Sequence, residues 1–170
     1  FIRMADRVHA RLPDVRFVLI GEGELRTKLE HYAAERGLDA ALTFTGFRKD
    51  VERLLPELDV MAMTSRTEGL GTSILDAFAA RVPVVATAAG GIPELIDDRR
   101  TGLLCMVGND AALAVAVEEL LQDSALRDRL VDGASRKLQG FTRHATALAT
   151  LKEYQAVVTE DLGAAKTKSA

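Results

Sequence analysis

TEGLGTSILDAFAARVPVVATAAGGIPELI, residues 67–96, decides how the rest of the chain is read. It leaves a loop, enters a helix, crosses to a strand and ends in a glycine loop that opens another helix. Glu68 and Asp76 bracket Gly69 and Gly71, and Gly71 falls where the helix begins. A helix N-terminus carries unpaired N–H groups and a partial positive charge, so it attracts anions. A glycine there lets a phosphate approach those groups. Glu68 can accept hydrogen bonds from hydroxyls, and Asp76 lies about a turn and a half into the helix. One ligand carrying both a phosphate and sugar hydroxyls suits this arrangement.

The stretch resembles the donor-site signature of the family 4 retaining glycosyltransferases, which have the GT-B fold of two Rossmann-like domains. That signature has two glutamates separated by seven residues, a helix, a Pro-Val-Val strand and a Gly-Gly-x-Pro-Glu loop. Glu68 matches the first acid, Pro83-Val84-Val85 the strand, and Gly90-Gly91-Ile92-Pro93-Glu94 the loop. The second acid is Asp76, which keeps the carboxylate and shortens its reach by one methylene. The resemblance implies that Glu68 binds donor-sugar hydroxyls and serves as the catalytic-site acid. It further implies that Asp76 binds the ribose, and that backbone at Gly71, Thr72 and Ser73 meets the diphosphate, with Gly69 also among the donor-binding residues. Gly90 and Gly91 would lie near the donor.

Working outward, VRFVLIG (15–21), LTFTG (42–46), DVMAMTS (59–65), 83–88 and TGLLCMV (101–107) read as strands. The segments between them read as helices: 1–11, about 24–36, 50–58, 72–81 and a short one ending at Ile96. Asn109 or Asp110 can cap a helix to about Gln122. Two more follow, from Ser124 to Lys137 and from beyond Phe141 to about Asp161. Strands alternating with helices predict an α/β, Rossmann-like parallel sheet of about five strands with helices on both faces. Ligands of such sheets bind beyond the strands' carboxyl ends. Gly21, Gly46, residues 65–68 and residues 88–91 all fall there.

Each remaining candidate has a plain reading beside the functional one. Gly21-Glu22-Gly23 is a nucleotide loop or simply a tight strand-to-helix turn, and position 26, where a third glycine would stand, is Arg26. Gly46-Phe47-Arg48 is a turn with a solvated arginine. The resemblance places Gly21 and Gly23 along the donor cleft, with the backbone of Phe47 and Arg48 against the nucleobase. Glu94 suits helix capping, and Cys105 suits a core thiol. His9, His31 and His144 have no metal-ligand spacing, so no metal is expected. No nucleophile–base pair is readable, which fits a family whose retaining transfer proceeds without an obvious protein nucleophile.

Composition bounds the class. A chain of 170 residues, 48% hydrophobic, can bury one core, read as one domain over 1–162 with a disordered tail over 163–170. The net charge of −3 argues against nucleic-acid partners. The single cysteine fits a reducing, cytoplasmic compartment, with the membrane surface a second location open to the full-length enzyme. No apolar run approaches the ~20 residues that span a bilayer, and no signal peptide is visible.

Because the chain begins at Phe1, it is expected to be a fragment or a processed product. The resemblance implies an absent N-terminal acceptor-binding domain. It also implies an absent first strand of this domain, with the Arg and Lys that would neutralise the donor diphosphate. That strand would lie between the strands at 15–21 and 59–65. The two edges are then expected to pair directly, to be bridged by another chain, or to be filled by upstream sequence.

The expected function is the nucleotide-sugar-binding half of a retaining glycosyltransferase, inactive alone and needing only the nucleotide diphosphate sugar, without a cofactor. The alternatives are a nucleotide-sugar epimerase-like domain and a non-catalytic nucleotide-binding module. The base, sugar and acceptor are not legible, because specificity rests on a few pocket contacts.

Overall fold

The computed structural model describes residues 1–167. It divides into two compact units, Phe1–Ser135 and Arg136 onward. The first unit holds every strand, in the order α1 (Ile2–Arg11), β1 (Phe17–Ile20), α2 (Arg26–Ala34), β2 (Leu42–Gly46), α3 (Val51–Leu54), β3 (Met61–Met63), α4 (Thr72–Ala79), β4 (Val84–Thr87), α5 (Ile92–Leu95), β5 (Leu103–Cys105), α6 (Asp110–Gln122) and α7 (Ser124–Leu138), the last running on across the boundary. The expected helix at 50–58 is α3 followed by a 3-10 turn at Leu55–Glu57, where Pro56 removes a donor.

All strand pairs are parallel, as strands joined by helical crossovers must be. They form two sheets, β1-β2 and β3-β4-β5, rather than one of five strands. Of the three outcomes expected at the break, direct pairing of β1 with β3 does not occur; β3 is an edge strand. Its three residues are half-buried, and Val18 of β1 is exposed, whereas β4 is buried throughout.

One apolar cluster nevertheless runs beneath both sheets. It joins Met4 and Val8 of α1, Phe17 of β1, Leu42 of β2, Val85 of β4, Leu103 of β5 and Leu113, Val117 and Leu120 of α6. Fully burying a side chain of this kind contributes about 1.5–3 kcal/mol. Outside the cluster, α1 and α6 are laced by charge: Arg3 and Arg7 both bond Asp110 (3.0 and 2.8 Å), and Arg11 bonds Glu118 (2.9 Å). The arginines recur every fourth residue, so one face of α1 carries all three.

Caps set the helix starts. Asn109 accepts the Ala112 amide (2.9 Å) at α6, and Asp123 the Leu126 amide (2.8 Å) at α7. In the second unit, α8 (Arg143–Thr167) begins where Thr142 accepts the Ala145 amide (3.1 Å). This helix exposes Leu148, Leu151, Tyr154, Val157 and Val158. Its backbone is helical as far as Thr167, past the start of the expected tail; residues 168–170 lie outside the described residues.

Candidate functional site

The turn from β3 to α4 is built around Glu68. β3 ends at Met63, and the chain crosses residues 64–71 before α4 starts at Thr72. Gly71 sits at the helix entrance with φ of +75°, a left-handed conformation that glycine adopts without penalty. A β-carbon there would lie 3.4 Å from Cγ of Glu68 and from Ile92. No side chain caps this N-terminus, and its first turn carries no acid. Its leading N–H groups therefore point outward with the positive end of the helix dipole.

Glu68 is half-buried. Its carboxylate accepts from the Gly69 amide (3.1 Å) and from the Ser65 hydroxyl (3.3 Å). Behind it, the Gly91 amide donates to the carbonyls of Glu68 (3.3 Å) and Gly69 (3.1 Å). The two loops touch so closely that a β-carbon on Gly90 would come within 1.8 Å of the Glu68 carbonyl oxygen. One on Gly91 would come within 2.2 Å of the Gly69 carbonyl oxygen. Both glycines are therefore required by loop-on-loop packing, a demand separate from any approach of a ligand.

α4 turns its polar side outward. Ile74, Ala77 and Phe78 are buried, while Thr72, Ser73 and Asp76 are exposed. Asp76 is four residues beyond Thr72, so the two are neighbours on one face. Glu68 stands four residues before the start of α4, and Thr72, Ser73 and Asp76 are on the helix's exposed side.

The other candidates gather at the ends of β1 and β2. The Gly21 amide donates to the Gly46 carbonyl (3.0 Å), tying the two strand ends together. Gly46 has φ of +70°, and a β-carbon there would lie 2.9 Å from the Arg26 guanidinium. Arg26 donates to the Phe44 carbonyl (3.1 Å) and to Glu30 (2.8 Å). So the residue standing where a third glycine would be braces this turn. Leu19, Ile20, Gly21, Gly23, Leu25 and Phe44 are among the residues around a cavity of about 250 Å³ here.

Phe47 is 67% exposed, its ring free to lie against a flat partner. Arg48 is committed to Asp50 through two bonds of 2.8 and 2.6 Å. The hydrogen bond from Arg48 lowers the Asp50 carboxyl below its usual range, and the same bond raises the arginine. Cys105, expected as a core thiol, is half-buried at the margin of the apolar cluster, and burial pushes its thiol up. Among the described residues, no three of His, Cys, Asp and Glu group as metal ligands. Nor is any described helix long and apolar enough to cross a membrane.

Thr87 escaped the sequence reading. It ends the buried run Val84–Thr87 and is itself 1% exposed. Its hydroxyl donates to the Ser65 carbonyl at 2.6 Å. A polar residue closing an otherwise apolar strand was the available signal.

Parallel strands, helical crossovers and polar loops gathered at strand ends define a Rossmann-like α/β domain. The family described as glycosyl transferases group 1 matches residues 1–137, and this chain belongs to it. A lipopolysaccharide core biosynthesis glycosyltransferase of Rhizobium meliloti, LpsE, is 35% identical over 144 residues, 84% of this chain and 42% of that protein. An alpha-D-kanosaminyltransferase of Streptomyces kanamyceticus is 34% identical over 79% of this chain and 36% of its own length. The chain therefore spans about two fifths of the curated relatives it matches.

Two solved structures have the same fold. The C-terminal domain of LpcC, a glycosyl transferase group 1 family protein of Francisella tularensis, is 29% identical with a TM-score of 0.74. The match covers 82% of this chain and 75% of that one. HepE of Anabaena, solved in complex with UDP, is 25% identical with a TM-score of 0.80, covering 92% of this chain and 44% of that one.

Proposed function

We propose that this chain is the donor-binding half of a retaining glycosyltransferase that moves a sugar from a nucleotide diphosphate sugar to a hydroxyl acceptor. The observation that carries this reading is the half-buried Glu68 carboxylate held beside the uncapped N-terminus of α4. An acid that accepts sugar hydroxyls and a helix end that accepts a diphosphate meet at one corner.

Glu68 holds the sugar hydroxyls. Backbone at Gly71, Thr72 and Ser73 receives the diphosphate, with Gly69 beside it and its amide given to Glu68, and the helix dipole stabilises the charge as the sugar–phosphate bond breaks. Asp76 accepts from the ribose. Phe47 and the backbone at Arg48 flank the base, with Gly21 and Gly23 alongside. Gly90 and Gly91 hold the Glu68 loop from behind. Arg66 is exposed and makes no ion pair among the described residues, so its charge is available to the donor, whereas that of Arg48 is taken by Asp50. An N-terminal acceptor-binding domain completes the enzyme, which works in the cytoplasm or at its membrane surface without a metal.

Calorimetric titration with UDP, GDP and ADP and their sugar conjugates tests the reading. Uridine nucleotides come first, because HepE was solved with UDP. One nucleotide should bind selectively and lose affinity in Asp76→Ala. A further gain from one sugar should disappear in Glu68→Ala. A folded chain that binds none of them would refute the proposal.

A further inference from the structure

Among the described residues, Thr87 and Thr101 are the polar ones that are buried. The neighbours of Thr87 along β4 are Val84, Val85 and Ala86, each wholly buried. A hydroxyl in that setting must be hydrogen-bonded. Two carbonyl oxygens are in reach, Ser65 at 2.6 Å and Met63 at 3.4 Å. A hydroxyl has one proton, and the short contact takes it.

That bond is the first link of a short series. Thr87 donates to the Ser65 carbonyl, and the Ser65 hydroxyl donates to one oxygen of Glu68. The Gly69 amide donates to the other oxygen, and the Gly91 amide fixes the Glu68 and Gly69 carbonyls. Every link runs toward the Glu68 carboxylate or the peptide that carries it. β3 and β4 pair in parallel with Met63 opposite Ala86, so Thr87 lies one residue beyond the last pair and meets the chain just as it leaves the sheet. Without that bond the loop would leave β3 with the Ser65 carbonyl unanchored, and the Ser65 hydroxyl would no longer be aimed at Glu68.

We infer that Thr87 is a positioning residue for donor-sugar recognition: through Ser65 it sets where the Glu68 carboxylate stands. This rests on the reading of Glu68 as the sugar-binding acid. The diphosphate contacts proposed at Gly71, Thr72 and Ser73 stand at the entrance of α4 and the ribose contact at Asp76 on its outer face, so Thr87 governs the sugar increment of affinity and leaves nucleotide affinity alone.

The test compares two affinities in each of four chains: wild type, Thr87→Val, Thr87→Ser and Glu68→Ala. The probes are UDP, GDP and ADP and, against them, UDP-glucose, UDP-N-acetylglucosamine, GDP-mannose and ADP-glucose. The readout is the ratio of nucleotide to nucleotide-sugar Kd for the best-binding conjugate. Loss of one hydrogen bond should cut that ratio by roughly two- to tenfold in Thr87→Val. Nucleotide affinity should stay within about twofold, and Thr87→Ser, which keeps the hydroxyl, should restore the ratio.

Equal weakening of both affinities, or a serine variant as poor as valine, would reduce Thr87 to fold support and overturn the inference. A sugar gain that depends on Glu68 but survives Thr87→Val would sink the inference and leave the donor-site reading standing. No Glu68-dependent gain in the wild type would sink both. Should Thr87→Val fail to fold, Thr87→Cys carries the test, since its thiol is a weak donor of similar size. A cysteine variant with an undiminished ratio would overturn the inference.

Discussion

Gly90 is pressed against Glu68, with room for no β-carbon: one would stand 1.8 Å from the Glu68 carbonyl oxygen. The glycine also has φ of +52°, so a larger residue would be strained in its own backbone. Gly90→Ala should therefore cost about 1–3 kcal/mol of stability and shift the Glu68 loop. Urea unfolding measures the first effect. Loss of the sugar-dependent part of donor affinity in the folded fraction measures the second.

Gly69, next along the same loop, predicts the opposite pattern. Nothing lies within 4 Å of where its β-carbon would be, and its φ is not positive. Gly69→Ala should leave stability within about 0.5 kcal/mol of wild type. If the diphosphate approaches this loop closely, the added methyl will still weaken nucleotide binding. Unchanged affinity would place the diphosphate elsewhere.

Gly133 in α7 sets a helix-propensity argument against a contact. Alanine in a helix interior is normally better than glycine by about 1 kcal/mol. Here the added β-carbon would meet the Arg100 carbonyl oxygen at 2.0 Å, a backbone atom that cannot rotate away. Gly133→Ala should destabilise by about 1–3 kcal/mol in spite of propensity. A stabilised variant in urea unfolding would show that the turn at Arg100 yields.

Phe78, 1% exposed on α4, anchors the helix whose other face carries Asp76. Phe78→Ala should cost about 3–5 kcal/mol. Thermal unfolding reports the loss directly, and a smaller value would mean that α4 settles into the cavity.

Asp110 gives the α1–α6 lacing a pH dependence. The hydrogen bond from Arg7 holds its carboxyl below the usual range, with a second bond from Arg3 and burial opposing. A carboxylate depressed by folding stabilises the native state above its unfolded pKa of about 3.9, and that contribution disappears as pH falls through the folded value. The arginines are half-exposed, so each pair contributes only about 0.2–1 kcal/mol. Asp110→Asn should lower the urea midpoint at pH 7, and the gap from wild type should narrow below pH 4. A gap that widens in acid would contradict the assignment.

Much of this was legible in the chain itself. The runs VRFVLIG, LTFTG and VPVVAT and the helical spacing of Ile74, Ala77 and Phe78 are local patterns, fixed by how a backbone repeats every two or every 3.6 residues. Those repeats place Glu68 at a strand's carboxyl end and Asp76 on the outer face of α4 without any knowledge of what else is near. Glycines at 71, 90 and 91 could be seen to matter, but not what they matter to.

The rest depends on register and on contacts between distant segments. Which carbonyl the Thr87 hydroxyl meets follows from Met63 standing opposite Ala86, a pairing no local repeat encodes. Gly90 and Gly91 meet the Glu68 loop only because parallel β3 and β4 release both loops at the same sheet end. Arg48 turns to Asp50 rather than toward a ligand, and Arg26 covers Gly46, because charge and space are settled in three dimensions. The division of five strands into sheets of two and three was decided there as well. Strand-forming sequence specifies an extended backbone, whereas hydrogen-bonding between strands needs a neighbour within about 4.8 Å, and only the folded chain supplies one.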